Sequence, residues 1–276
     1  MKGWTIAFLL FGSLIFTACK SEFEKLRISN DTELVYKKSM KYYDNKDYYK
    51  AQVLFEQIIG RYRGKKEAEE LYFRYAYTHY YLSNYILAAS YFQNFANTYL
   101  TSPLREEAAY MSAYCNYLQS PDYKLDQTFT TKAIDELQTF LNSYPDSKRA
   151  DKVNDLIDEL RGKLENKAFH EATLYYDLKQ YQAAIVSLQN ILKDYPDTKN
   201  IEQIRYLIVK ANYELALRSI YAKKLNRFGQ AQSAAELFKS KFPTSSYRKE
   251  VNSILKKVKD NIKLLEDGHK STITGN

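Results

Sequence analysis

One phrase returns in this chain at the same place in three successive helical patterns: Asn142-Ser143-Tyr144-Pro145-Asp146-Ser147, Lys193-Asp194-Tyr195-Pro196-Asp197-Thr198 and Ser240-Lys241-Phe242-Pro243-Thr244-Ser245. The prolines recur about every 50 residues, a period that belongs to stacked supersecondary units. Before each phrase a small residue is followed one and two helical turns later by further apolar residues: Ala133, Leu137 and Phe140; Ala184, Leu188 and Ile191; Ala231, Ala235 and Phe238. Ala51, Phe55 and Ile58, then Ala88, Phe92 and Phe95, repeat that spacing upstream. Residues at i, i+4 and i+7 share one helix face. A single hairpin cannot bury such a face, so neighbours must stack to make a continuous core.

Five units of this kind predict an all-α chain: a tetratricopeptide-type solenoid of about five helical hairpins. Val251, Ile254, Leu255, Val258, Ile262 and Leu265 mark a last amphipathic helix with lysines beside the stripe, suited to cap the open end of the array. Val153, Leu156, Ile157, Leu160, Leu164 and Ala168 mark a helix of more than five turns in the fourth unit. With 8 glycines and 5 prolines in 276 residues, and no alternating apolar runs, a strand-based fold is excluded.

At the start, Lys2 precedes an apolar run from Ile6 to Phe16, then Phe16-Thr17-Ala18-Cys19. The run is about half the roughly 20 residues a membrane-spanning helix needs, but it suits the apolar core of a secretory signal. Small Ala18 before Cys19 reads as a lipoprotein cleavage site, so the mature chain is expected to begin at a lipidated Cys19. Cys115 is then the only other cysteine, and no intrachain disulfide can form.

Catalytic and metal motifs are missing from the sequence. His170-Glu171 lacks the second histidine of a zinc helix, no phosphate-binding Gly-rich loop with Lys-Ser/Thr occurs, and the Asp151, Asp155, Asp158 and Glu159 cluster is interleaved with Lys152, Arg161 and Lys163 as a solvated helix face is. No metal, no cofactor and no enzymatic activity are expected. His79, among tyrosines, reads as a packed side chain. The net charge of +8 favours an acidic protein or an anionic surface, and export removes nucleic acid as a partner.

Most of the 27 tyrosines fall between Tyr36 and Tyr117. Aligning the first helices on their small eighth position places Tyr36, Met40 and Tyr43, then Phe73, Tyr77 and Tyr80, then Tyr110, Tyr114 and Tyr117 on the face that lines the groove of such an array. All but Met40 are aromatic. The fourth unit offers Phe169, Thr173 and Tyr176 and the fifth Ile208, Asn212 and Leu215, so the aromatic surface is expected to fade toward the C-terminus. Ring faces for apolar side chains and hydroxyls for a backbone make this a candidate groove for an extended peptide. The same rings could instead pack helix on helix.

The order of these features resembles the BamD family, the lipoprotein component of the outer-membrane protein assembly machine. The matching residues are Asp47-Tyr48-Tyr49-Lys50-Ala51, Ala109-Tyr110-Met111, Asp126-Gln127-Thr128 in an insertion within the third unit, and Ile191 through Thr198 closing the fourth. The resemblance spans about Leu34 to Val258. It implies a non-enzymatic scaffold, lipid-anchored at the periplasmic face of the outer membrane, that holds unfolded outer-membrane β-barrel proteins and docks on the periplasmic domains of the barrel insertase. A signal strand ending in an aromatic residue would suit the tyrosine-lined face. The aromatic N-terminal half would then take substrate and the basic C-terminal half would dock the insertase, with Asp126, Lys256 and Lys259 as docking residues. Two alternatives are another exported tetratricopeptide lipoprotein of cell-envelope or pilus assembly and a glycan-binding partner of an outer-membrane transporter.

The chain thus divides into a signal peptide over 1–18, a lipid-proximal tether over 19–31, the first two hairpins and first helix of the third over 32–118, an insertion loop over 119–131, the C-terminal part of the solenoid with the fourth and fifth hairpins and the cap helix over 132–266, and a disordered tail over 267–276.

Overall fold

The computed structural model describes residues 21–274, with side chains through residue 267. The signal segment and Cys19 lie outside the described residues. Twelve α-helices occur among those described, with no strand. After α1 (Glu22–Arg27) come five hairpins: α2 (Thr32–Asp44) with α3 (Tyr48–Ile58), α4 (Ala68–Tyr81) with α5 (Tyr85–Thr98), α6 (Arg105–Leu118) with α7 (Thr128–Ser143), α8 (Ala150–Asp177) with α9 (Tyr181–Asp194), and α10 (Ile201–Leu217) with α11 (Tyr221–Lys241). Helix α12 (Arg248–Thr274) follows. The described residues divide into two compact units, 21–120 with Thr128–Ile157, and Pro121–Gln127 with 158–274.

The repeated second-helix pattern is the core of each hairpin. Ala51, Phe55 and Ile58 of α3, Ala88, Phe92 and Phe95 of α5, and Ala231, Ala235 and Phe238 of α11 are all essentially inaccessible to solvent. Alanine lets the paired backbones approach, and the larger residue one or two turns on fills the space beyond. In the first unit Leu26, Val35, Leu54, Phe55 and Leu71 share one cluster. In the second, Val209, Phe228 and Phe238 join Val251, Ile254, Leu255 and Val258 of α12, so the last helix is an integral wall of its unit.

Two kinds of turn join the helices. Within the first, second and fourth hairpins the chain passes through a left-handed residue, Lys46, Ser83 or Lys179, with φ of 62°, 61° and 61°. In each, the amide of that residue bonds back to a carbonyl three residues earlier (Tyr43, Tyr80, Tyr176), and the next amide reaches Tyr42, His79 or Tyr175. This satisfies the orphan carbonyls of the first helix.

Between hairpins, the recurring phrase explains itself. Its terminal hydroxyl accepts the amide two residues on: Arg149 N–H to Ser147 Oγ at 3.1 Å, Asn200 N–H to Thr198 Oγ1 at 3.0 Å, Tyr247 N–H to Ser245 Oγ at 3.0 Å. Ser147 and Thr198 also donate to glutamates of the preceding first helix, Glu106 and Glu165. Ser102 does the same to Glu69, although its own segment departs from the phrase.

Three sequence boundaries move. The tether contains a short helix whose Leu26 is buried in the first-unit cluster. The insertion is shorter than 119–131, because α7 begins at Thr128, just after the Gln127 amide closes the loop on the carbonyls of Asp122 and Leu125. The segment 267–276, expected to be disordered, is helical as far as Thr274, since a nucleated helix adds residues at little cost.

Candidate functional site

In the first unit, the face aligned from the sequence is a connected aromatic network. Eight of its nine side chains are half-buried and Tyr110 is buried. On α2, Tyr36 stacks on Tyr62 at 4.9 Å, and Tyr43 meets Tyr48, Phe55 and Tyr81. On α4, Phe73 packs against Phe92 and Phe95, and Tyr77 lies edge-on to Phe92 at 4.9 Å. Tyr80 is edge-on to Tyr77 and Tyr81. On α6, Tyr110, Tyr114 and Tyr117 stack in file, each 5.6 Å from the next and tilted by 12° and 16°.

Cations brace this network from the neighbouring first helices. The Arg74 guanidinium lies 5.0 Å from the Tyr43 ring, held by Asp44 at 2.6 Å and Glu70 at 2.8 Å. Arg149 sits 4.9 Å from the Tyr110 ring and pairs with Glu107, while Lys152 Nζ lies 5.8 Å from Tyr110 and 5.4 Å from Tyr114. Tyr77 completes the chain by donating to Glu107 Oε1 at 2.6 Å. Such contacts gain strength where water is partly excluded. Burial first, and Glu107 second, push the Tyr77 hydroxyl far above the ordinary tyrosine range; burial does the same to Tyr43. Both remain donors throughout the physiological range.

The network therefore has two kinds of member. Tyr43, Phe73 and Tyr77 turn rings into the hairpin cores. Tyr114 and Tyr117 stack on their own helix, with Lys152 over Tyr114. The Tyr110 hydroxyl is buried without a hydrogen-bond partner. Nearby Cys115 is fully buried, and desolvation, with Glu136 second, pushes its thiol up to about 12. His79 lies inside a cage, edge-on to Tyr75 at 4.8 Å and stacked on Tyr91 at 4.9 Å, with Gln52 Nε2 2.9 Å from Nδ1. Its burial lowers its pKa.

In the second unit, Phe169 and Tyr176 of α8 are half-buried, and Thr173 donates to the Phe169 carbonyl at 2.9 Å. Desolvation, then Glu214, pushes Tyr176 up to about 12. The fifth hairpin corrects the sequence register. Its ring and charge contacts toward α12 come from Tyr206 and Lys210, while Ile208 shares a cluster with Ala172 and Phe169 of α8, and Leu215 one with Tyr176. Tyr206 stacks on Tyr247 at 4.1 Å and donates to Glu250 at 2.6 Å, and Lys210 Nζ lies 5.6 Å from Tyr176 and 5.3 Å from Tyr206. The Tyr206–Glu250–Lys210 group combines the same three chemistries as the Tyr77–Glu107–Arg149 group of the first unit, but from a different row, and its cation comes from the tyrosine's own helix. The eighth position is Val209, fully buried, whereas the sequence alignment rests on Ala211, which is equally buried two residues later. Tyr206 thus adds an aromatic side chain that the sequence register of α10 leaves out.

The docking candidates lie elsewhere in the second unit. Asp126 is exposed on the insertion, which Lys167 secures by donating to the carbonyls of Tyr123 and Leu125 while Tyr123 stacks on His170 at 4.8 Å. Lys256 and Lys259 are exposed on α12, with Lys259 Nζ 3.5 Å from Glu236. Among the described residues, no cluster of three or more His, Cys, Asp or Glu is arranged to hold a metal, and no helix is long and apolar enough to cross a membrane.

Comparison with known proteins adds the family. The model of the YfiO family, described as an outer membrane lipoprotein, matches residues 29–228 and 175–266. The outer membrane protein assembly factor BamD of Rickettsia prowazekii is 23% identical over 209 residues, 76% of this chain and 83% of that protein. The protein of the same name from Caulobacter vibrioides is 25% identical over 141 residues, 51% of this chain and 46% of that protein. Among solved structures, the TPR domain of P58(IPK) aligns with a TM-score of 0.40 at 14% identity over 84% of this chain and 66% of that one. MamA aligns with a TM-score of 0.30 at 15% identity over 78% and 96%.

Proposed function

The chain belongs to the YfiO outer membrane lipoprotein family, and from that premise we propose that it is a non-enzymatic scaffold of β-barrel assembly, anchored at the periplasmic face of the outer membrane through a lipidated Cys19. It binds unfolded outer-membrane proteins along the aromatic face of its first three hairpins. Its last two hairpins, with Asp126, Lys256 and Lys259, dock on the periplasmic domains of the barrel insertase. The role in assembly draws on relatives named as outer membrane protein assembly factors.

The observation that carries the binding role is the file of Tyr110, Tyr114 and Tyr117 under Lys152. Stacked rings, of which Tyr114 and Tyr117 are half-buried, are pre-ordered before any ligand arrives and bind at low entropic cost. A strand with alternating apolar side chains can lay them on these rings, and the nearby cations can meet a terminal carboxylate. The test uses the mature chain and a peptide from the C-terminal strand of an outer-membrane barrel. Tyr114→Ala with Tyr117→Ala is expected to weaken binding at least about tenfold, as removal of aromatic anchors does, while the helical melt stays cooperative. Unchanged affinity in a folded double variant would sink this reading of the face.

A further inference from the structure

One crevice is built twice in this chain, with an exchange of side chains between the copies. In the first unit it lies between α5, α6 and α7, about 310 Å³ in volume, with Arg105, Ser112 and Glu136 in its wall. Asn116 donates to the Ser112 carbonyl at 3.2 Å and to Glu136 Oε2 at 2.8 Å, and the Ser112 hydroxyl donates to the same carboxylate oxygen at 3.1 Å. Arg105 spends its Nε on the Ala96 carbonyl at 3.0 Å. The chain supplies its own acid and satisfies it.

In the second unit the corresponding crevice lies between α9, α10 and α11 and measures about 710 Å³. Asn212 stands to Val209 as Asn116 stands to Ala113, and it makes the same local bond, to the Ile208 carbonyl at 2.8 Å. The place of Glu136, one helical turn after Ala133, falls here on Ala234, one turn after Ala231. The place of Ala109, one turn before Ala113, falls on Arg205. No lining residue is acidic, and the Arg205 Nε is buried without a hydrogen-bond partner. Where the first crevice holds a carboxylate and an arginine whose Nε is satisfied, the second has no carboxylate, carries its arginine at the place of Ala109 with Nε unsatisfied, and is more than twice the volume. Gln182, Gln189 and Gln230 also line it.

We propose that this crevice receives an acidic side chain of a partner protein, a Glu or Asp on an extended segment. Its carboxylate sits between Arg205 and Asn212, as Glu136 sits on Asn116 in the first unit. The glutamine amides, each both donor and acceptor, meet the backbone on either side. Charge-assisted hydrogen bonds of this type are short and directional, and the crevice is within the usual size of a ligand pocket, roughly 300 to 1,000 Å³. The inference stands on the crevice alone, so its failure would leave the scaffold role untouched.

The test measures fluorescence anisotropy of three labelled heptapeptides with the mature chain. One is end-blocked with a central Glu, one is end-blocked with a central Gln, and one has the central Gln and a free C-terminal carboxylate. The Glu peptide is expected to bind at least about tenfold more tightly than either of the others, the size of effect a desolvated charge pair produces. Arg205→Gln should erase that preference. Ala234→Glu, which restores the chain's own carboxylate, should abolish binding without lowering the melting temperature, and so separates an occupied crevice from a misfolded one. Equal binding of Glu and Gln peptides, preference for the free C-terminus, no binding at millimolar peptide, or an Arg205→Gln variant that still discriminates would each overturn the proposal.

Discussion

Tyr77 and Tyr114 occupy equivalent rows on neighbouring helices, but their contacts assign them different work. Tyr77 packs on Phe92 and ties Glu107 into the braced network, so its ring is structural. Tyr77→Phe is expected to cost about 1 kcal/mol, the ordinary net worth of one such hydrogen bond. Tyr77→Ala should cost about 3 kcal/mol, as loss of a packed ring does. Denaturant titration of both variants reads these values directly. His79 gives a pH signature. Its folded pKa is lowered by burial, so the unfolded chain takes up the proton first as pH falls through about 6.5, and stability is lost on acidification. Melting temperatures between about pH 7.5 and pH 5.5 should therefore fall less steeply in a His79→Gln variant, which can keep a polar contact with Gln52. Equal slopes would show that His79 titrates alike in both states.

At the scale of the element, the hairpin turns and the last helix are the informative parts. Lys46, Ser83 and Lys179 hold left-handed backbone without the freedom of glycine. Replacing Lys179 by Gly is expected to stabilise the second unit by about 0.5 kcal/mol, since the relief of a left-handed residue exceeds the added freedom of the unfolded chain. A rise of the urea midpoint at constant slope would confirm it. Helix α12 tests docking apart from folding. Lys256 and Lys259 are exposed, and an exposed ion pair such as Lys259 with Glu236 contributes little to stability. Reversing both lysines to Glu should leave the melt nearly unchanged while slowing association with an acidic partner in a salt-dependent manner. Equal association rates at low salt would remove this face from docking. Deleting residues 246–276, by contrast, strips Val251, Ile254, Leu255 and Val258 from the cluster around Phe238 and should unfold the fifth hairpin.

For the whole molecule, the proposed lipid on Cys19 is the point to test, and no described helix is long and apolar enough to cross a membrane. Lipid on a single cysteine carrying more than one acyl chain holds a protein on a bilayer far longer than one chain does. Cys19→Ser is expected to abolish incorporation of labelled fatty acid and to move the protein from the membrane to the soluble periplasmic fraction. Recovery of the variant in the membrane fraction of cells lacking any partner would refute the anchor. Co-purification from detergent-solubilised outer membrane, compared between wild type and the α12 charge reversal, would then show whether a partner protein docks on this face.

The sequence by itself determined the number and order of the hairpins, the recurring phrase between them and the aromatic identity of the first three rows. These depend on neighbours within two helical turns, and a period of 3.6 writes such neighbours into the chain. Only the tertiary structure decided the register of α10, because Val209 and Ala211 are both fully buried and either satisfies a pattern that asks for a residue facing the core. The same holds for the partners of the rings. Glu107 meets Tyr77 and Arg149, and Glu250 meets Tyr206 and Lys210, across separations of 30 to 44 residues that no local period encodes. The crevice with Arg205 was equally hidden. Its meaning comes from Ala234 standing where the other copy has Glu136, a relation between helices that packing creates and that the sequence of either helix alone does not contain.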